Sequence, residues 1–242
     1  MGVARLLSVT KTLEAPRIFE RSVKLTKHGL SSDRGLVSLD KSAIYPGPKA
    51  TLRAICTDLG CPDTAPLEPH LSAASAIHFG ADEDIGKCYL EFAPQNAPEA
   101  DLVFLALKWR EGAQRLNRYH SISARPHARK HDLMRTLVPD PVVGDVMAQA
   151  LDLARSGDPD GEAVVLHVTE DGSTRASVDV SVADAKVSIG DVKILGALQA
   201  FTGCGLRALL DQMAHDRFGH IAAGVGPDGG TFVTLYYGAK AL

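Results

Sequence analysis

The stretches GKCYLEF and TRASVDV each set three chemically capable side chains on one side of a strand. Alternate residues of a strand face opposite sides of its sheet. Lys87, Tyr89 and Glu91 therefore share one face, with Cys88, Leu90 and Phe92 on the other. Arg175, Ser177 and Asp179 likewise oppose Ala176, Val178 and Val180. VKLTKH sets Lys24, Thr26 and His28 against Val23 and Leu25, and VLHVT sets His167 and Thr169 against Leu166 and Val168. FVTLYYG sets Phe232, Thr234 and Tyr236 against Val233, Leu235 and Tyr237. One face takes aliphatics, as packing against helices requires, while the other collects Lys, Arg, Tyr, His and acids. Preorganised cations stabilise a developing anion, aromatic faces stabilise a nearby cation, and an acid or His can move a proton. An open antiparallel sheet with one face in water would alternate in the same way. The tyrosines and the mixed charges instead suit a lined chamber.

The elements that must position these residues read as ten candidate strands in five pairs, with helices between most of them. This predicts an α+β fold of antiparallel strand pairs alternating with helices. Closed into a ten-stranded barrel with helices outside, the polar faces become an interior wide enough for a ligand. The order GLSSDRGLVSLD, LRAICTDLGC and AIHFGADEDIGKCYLEFA matches EDGSTRASVDV, LGALQAFTGC and HIAAGVGPDGGTFVTLYYG. Arg34 lies 141 residues before Arg175, and Cys61 lies 143 before Cys204. The expectation is a single domain, 1–242, with an internal repeat at about 22–93 and 162–239. Between the copies, DLVFLALKW and RYHSIS read as a further strand pair, followed by a helix that Asp132 could cap and that Pro139 and Pro141 interrupt. The next helical stretch closes at Ser156-Gly157. GVGPDGG spells a dinucleotide-binding fingerprint, but only twelve residues follow Gly230, too few for a βαβ unit. Flanked by HIAAGV and TFVTLYYG, it reads as a hairpin turn.

The chain has 242 residues, 45% apolar and 23% charged, with a net charge of −3. That balance makes neither nucleic acid nor an anionic membrane the expected partner. The N-terminus lacks a long apolar region and no stretch reaches the length of a membrane span, which reads as cytoplasmic. Cys56, Cys61, Cys88 and Cys204 form no C-x-x-C and read as reduced buried thiols rather than a zinc site. Eight basic residues between Lys108 and Arg135 face only Glu111 and Asp132, and so could draw an anion or simply be solvated. His127 and His131, four apart in RPHARKH, would share a helix face, but Pro126 and the dense positive charge argue against a metal pair there.

GKCYLEFAP, STRASVDVSVADAKVSIGDVKILGAL and the closing HIAAGVGPDGGTFVTLYYG resemble the soluble aromatic prenyltransferases with the α-β-β-α barrel, including the indole and cyanobactin peptide enzymes. The resemblance covers about half the chain. It implies a barrel that takes two partners, an allylic diphosphate and an aromatic small molecule or peptide as acceptor. Lys87 and Arg175 would bind the diphosphate, Tyr89 and Tyr236 would shield the allylic cation, and an acidic residue or His would assist deprotonation. The strand faces add Lys24, Lys108 and His167 as binding residues and Glu91 as the acid. No cofactor is expected unless Mg²⁺ accompanies the diphosphate. The sequence departs from the family pattern in its length, in lacking helices between the second and third strand pairs, and at Ala176 and Ser177. Two other readings stay open: a non-catalytic carrier or sensor using the same chamber, and another small-molecule enzyme with His120 or His167 as base near Asp179 or Glu91. His78 and His220, at the starts of equivalent strands, read as turn or edge residues.

Overall fold

A computed structural model of the chain describes residues 2–44, 47–157, 162–203, 205–226 and 228–242. Cys204 and the turn residue Pro227 lie outside the described residues. The strands are β1 (Arg17–Thr26), β2 (Gly29–Ser31), β3 (Arg34–Asp40), β4 (Ala74–Asp82), β5 (Ile85–Phe92) and β6 (Leu102–Arg110). They continue with β7 (Ala113–Ser121), β8 (Val165–Glu170), β9 (Ala176–Ser181), β10 (Phe218–Val225) and β11 (Thr231–Ala241). Neighbours in sequence pair antiparallel from β3 to β11, and β1 joins β3 to β11, closing ten strands into a barrel. Short β2 pairs with β1 alone and stands outside that ring.

The helices are α1 (Val3–Thr10), α2 (Pro48–Asp58), α3 (His127–Leu137), α4 (Pro141–Gly157), α5 (Leu198–Thr202) and α6 (Leu206–Gln212). They pack outside the barrel in two hydrophobic layers. In one, Leu6 of α1 and Leu52 and Ile55 of α2 meet Val37, Phe79 and Leu90. In the other, Val146 and Leu151 of α4 and Phe201 of α5 meet Val180, Ile221 and Leu235. These strand residues are the aliphatic halves of the alternating patterns, so burying them outward leaves their polar neighbours facing in. Cys56, Cys61 and Cys88 are free thiols buried in the first layer.

GVGPDGG turns the chain between β10 and β11, where the Gly226 N–H donates to the Gly230 carbonyl at 2.8 Å and Gly229 takes a φ of +76°. That φ is accessible to glycine at little cost.

Two local readings change. Asp132 does not cap a helix: α3 starts five residues earlier, directly after Pro126, because proline lacks only an N–H that a helix start leaves unpaired. Asp132 instead pairs with Arg129 and Arg135 on the helix surface. Asp140, between the two prolines, accepts from the N–H of Val142 and caps α4. The basic run from Lys108 to Arg135 is also not a single patch. Arg110 pairs with Asp84, Arg115 with Glu170, and Arg118 with Glu99 and Asp171, whereas Lys108 points into the barrel.

Gly86 marks a close approach within the wall. A Cβ there would lie 2.2 Å from the ring of Trp109. That indole is 3% exposed, and its N–H donates to the Leu59 carbonyl at 3.0 Å, so it has little freedom to retreat. Gly86→Ala is expected to lower unfolding stability by about 1–3 kcal/mol in chemical denaturation, the usual cost of overpacking a core.

Candidate active site

The barrel lumen holds two adjoining cavities of about 330 and 110 Å³. Tyr89, Tyr119 and Tyr236 border both and form a collar between them. They come from β5, β7 and β11, and the Tyr89 and Tyr119 rings meet edge-on with centroids 5.8 Å apart. Burial pushes the Tyr89 hydroxyl up to about 12 and those of Tyr119 and Tyr236 well above the usual tyrosine range. All three therefore stay neutral at physiological pH.

The smaller cavity is cationic. Lys24, Arg34, Lys87, Lys108 and Arg175 line it. Asp82 pairs with Arg34 and, at 3.0 Å, with Lys87. Glu170 takes Arg175 and Arg115, each at 3.0 Å. Among the described residues, Lys24 and Lys108 have no carboxylate partner at salt-bridge distance. Each lies over an aromatic ring instead, Lys24 above Phe232 at 5.2 Å and Lys108 near Tyr119 at 5.9 Å. Burial lowers the Lys24 ammonium and, reinforced by Lys87 and Arg175, lowers that of Lys108 much further. Burial also takes Lys87 down to about 8 against the pull of Asp82. Burial alone would raise Asp82, but Lys87 and Arg34 overcome it and hold the carboxyl below its ordinary value. Enclosed cations without counter-charges are costly, and a bound anion would relieve them.

The larger cavity carries carboxylates and histidines. His220 Nδ1 lies 2.9 and 3.0 Å from the two carboxylate oxygens of Asp179, and its Nε2 lies 3.3 Å from Glu20. Its ring stacks on Tyr236 at 3.8 Å with planes 7° apart. Burial would lower this imidazole, but Asp179 and Glu20 outweigh it and raise the pKa to about 10. His220 is thus a cation at neutral pH and cannot serve as the base there. Its ring protons are expected to show no titration in NMR between about pH 6 and 8, and Asp179→Asn to bring the transition down toward neutrality. A second network joins Ser38 to His78 Nδ1 at 2.7 Å and His78 Nε2 to Glu91 at 2.9 Å. His78 packs edge-on against Phe104 at 5.6 Å.

The structure brings most of the residues singled out from the sequence to this lumen. Lys24, Lys87, Lys108, Arg175, Tyr89 and Tyr236 all line it. Glu91 stands at the rim, its side chain 38% exposed and tied to His78. His167 does not face the chamber. In β8 it is Leu166 and Val168 that line the cavities, while Val165 joins the outer hydrophobic layer. In β7 the outward Arg118 and His120 meet loop acids rather than a helix face. From Leu166 to Thr169 of β8 the alternation runs polar out and apolar in. His120 pairs with Glu99, so neither His120 nor His167 forms the expected pair with Asp179 or Glu91. The pairs are His220 with Asp179 and His78 with Glu91, and both histidines line the chamber rather than a turn or edge.

Sequence reading missed Arg34, Tyr119 and Glu20 as site residues. Alternation could have found Tyr119, two positions beyond buried Asn117 on the same face of β7. A bulge between Phe19 and Arg21 obscures the face of Glu20.

The ten-stranded antiparallel barrel with its helices outside is the fold of solved aromatic prenyltransferases. No protein-family model and no curated protein matches the sequence. Among solved structures, the NotF prenyltransferase superposes with a TM-score of 0.57 at 13% identity, over 90% of this chain and 80% of that one. AnaPT from Neosartorya fischeri gives 0.53 at 13% identity, over 90% and 77%. A 6-dimethylallyl tryptophan synthase gives 0.55 at 14% identity, over 91% and 80%. One similar structure is NotF in complex with brevianamide F and DMSPP.

Proposed function

We propose that this protein transfers an allylic prenyl group from a diphosphate donor to an aromatic acceptor inside the barrel. One observation carries the reading: a tyrosine collar stands between a cavity lined by half-buried lysines, Lys24 and Lys108, that have no carboxylate partner among the described residues, and a cavity armed with carboxylates. The diphosphate sits in the cationic cavity. As its C–O bond breaks, the electron pair leaves with the diphosphate oxygen, whose charge Lys24, Arg34, Lys87, Lys108 and Arg175 hold. The allylic cation faces the collar, where neutral tyrosine rings stabilise it and the closed wall limits water. The acceptor ring supplies an electron pair for the new C–C bond, and the proton displaced from that ring carbon passes to a carboxylate of the larger cavity. Two of the similar structures, a 6-dimethylallyl tryptophan synthase and NotF in complex with brevianamide F and DMSPP, fit this pairing of donor and acceptor.

A divalent ion accompanying the diphosphate finds a poor donor set here. Asp82 is already bound by two cations and Glu170 by two arginines. Diphosphate binding is therefore expected to persist unchanged in EDTA.

The lysines set a pH dependence. Binding an anion requires their protonated forms, and Lys87 loses its proton near pH 8 in the free protein. Pyrophosphate affinity is expected to fall by about tenfold per pH unit above that value for each lysine that must recharge. Because Lys87 must recharge, binding at about pH 8 and above is expected to take up protons, which calorimetry in buffers of different ionisation enthalpy reads directly.

Calorimetry with dimethylallyl and geranyl diphosphate tests the donor half, and mass spectrometry after incubation with indole or tryptophan derivatives tests transfer. Binding with a product heavier by one prenyl group supports the proposal. Binding without any product would leave a carrier or sensor of such ligands. No binding would retire the prenyl reading.

A further inference from the structure

We infer that His127, His131 and Asp152 form a site for a borderline divalent metal ion such as Zn²⁺, on the outside of the barrel and apart from the chamber. The two histidines lie one turn apart on α3, and Asp152 reaches them from α4. The Nε2 atoms of the histidines are 2.9 Å apart, and the nearer Asp152 oxygen lies 3.1 Å from His127 and 3.8 Å from His131. A tetrahedral zinc ion with bonds of about 2.0–2.1 Å holds its donors about 3.3–3.4 Å apart. The three separations bracket that spacing, so an ion could sit among them with only small rotations of the side chains.

The donor set also selects the ion. Two imidazoles and one carboxylate suit Zn²⁺, Co²⁺, Ni²⁺ or Cu²⁺, whereas Mg²⁺ and Ca²⁺ prefer all-oxygen surroundings. His127 is 34% and His131 26% exposed, so the ion has a path in and room for a water as fourth ligand. The surrounding positive charge is less adverse than the sequence suggests. Arg129 and Arg135 are drawn to Asp132. Arg125, Lys130 and Arg155 remain nearby, lining a surface hollow with His127 that also holds Glu162, and they set an affinity below that of a structural zinc finger. Pro126 fixes the first turn of α3 that presents His127. A bound ion would fasten that turn to α4. The strands on either side of the α3–α4 segment, β7 and β8, contribute Tyr119 and Leu166 to the larger cavity, so the clasp would brace the chamber wall from outside.

The test uses the full chain without a histidine tag, stripped with EDTA and titrated with Zn²⁺ by calorimetry and with Co²⁺ by visible absorption. One equivalent is expected to bind with a Kd of order micromolar, and His131→Ala and Asp152→Ala each to weaken it by about 10–100-fold. His120→Ala, which removes an imidazole paired with Glu99 and not with the three donors, is expected to change nothing. Zinc at about a hundredfold excess over Kd should also raise the melting midpoint by about 5–10 °C in the unaltered chain and not in His131→Ala. Circular dichroism of the metal-free variants checks that each is folded, and His131→Gln replaces His131→Ala should the latter unfold. Absence of binding at millimolar Zn²⁺ would overturn the inference. So would binding that survives loss of His131, or a cobalt spectrum with the intense near-ultraviolet bands of thiolate ligands. Diphosphate binding in EDTA is a separate readout, so failure here leaves the prenyl-transfer reading untouched.

Discussion

The double variant Lys87→Ala, Arg175→Ala is expected to lose pyrophosphate and dimethylallyl diphosphate binding by about 10²–10⁴-fold while remaining folded. Each side chain offers a charge-assisted hydrogen bond to the anion, worth about 1.5–3 kcal/mol when both partners are held in place. The variant leaves no carboxylate stranded. Asp82 keeps Arg34 when Lys87 is gone, and Glu170 keeps Arg115 when Arg175 is gone. Arg34→Ala makes an instructive contrast. Arg34 is 4% exposed, and its guanidinium reaches both Asp82 and Ser22, so its loss is expected to cost about 3–5 kcal/mol of stability. Calorimetry beside thermal melting separates the two cases. Full affinity in the double variant would place the diphosphate elsewhere and remove the main support for the donor cavity.

The barrel was legible because its strands obey one rule, aliphatics out toward helices and polar groups in. The rule holds for β1, β5, β9 and β11, where Lys24, Lys87, Ser177 and Tyr236 all point as alternation predicts, and Arg175, just before β9, turns the same way. It inverts at β8, where both faces are chemically ambiguous and only the position of the covering helices decides which is inside. His167 was misplaced for that reason. The partners of the acids were illegible for a different one. His220 meets Glu20 across 200 residues of sequence, a contact created when β1 and β11 close the ring, and no local pattern reports closure. His78 pairs with Glu91 across a hairpin in which Ala76, rather than His78, is registered opposite Glu91. The two are diagonal neighbours in an even register, and the bulge between Ala74 and Ala76 lies beyond them. The helix of His127 shows the converse error, since a proline reads as a breaker from inside a pattern and as a starter from its edge.

The acceptor cavity has two carboxylates, and their contacts assign them different tasks. Both oxygens of Asp179 lie within 3.0 Å of His220 Nδ1, so Asp179 is committed to holding the imidazolium. Glu20 touches His220 through one oxygen at the longer distance of 3.3 Å and borders the larger cavity but not the cationic one. Glu20 is therefore the group free to take the acceptor's proton, and His220, positive to about pH 10, steadies the carboxylate without competing for that proton at neutral pH. Glu20→Gln keeps the shape and removes the base, and is expected to lower kcat for transfer by about 10²–10⁴-fold with diphosphate affinity unchanged. Asp179→Asn is a positioning change instead. It frees His220 to titrate near neutrality, so its rate is expected to acquire a pH dependence that the unaltered chain lacks there. Equal losses in the two variants with identical pH profiles would mean that the two carboxylates act as one unit, and would remove the assignment of Glu20 as the proton acceptor.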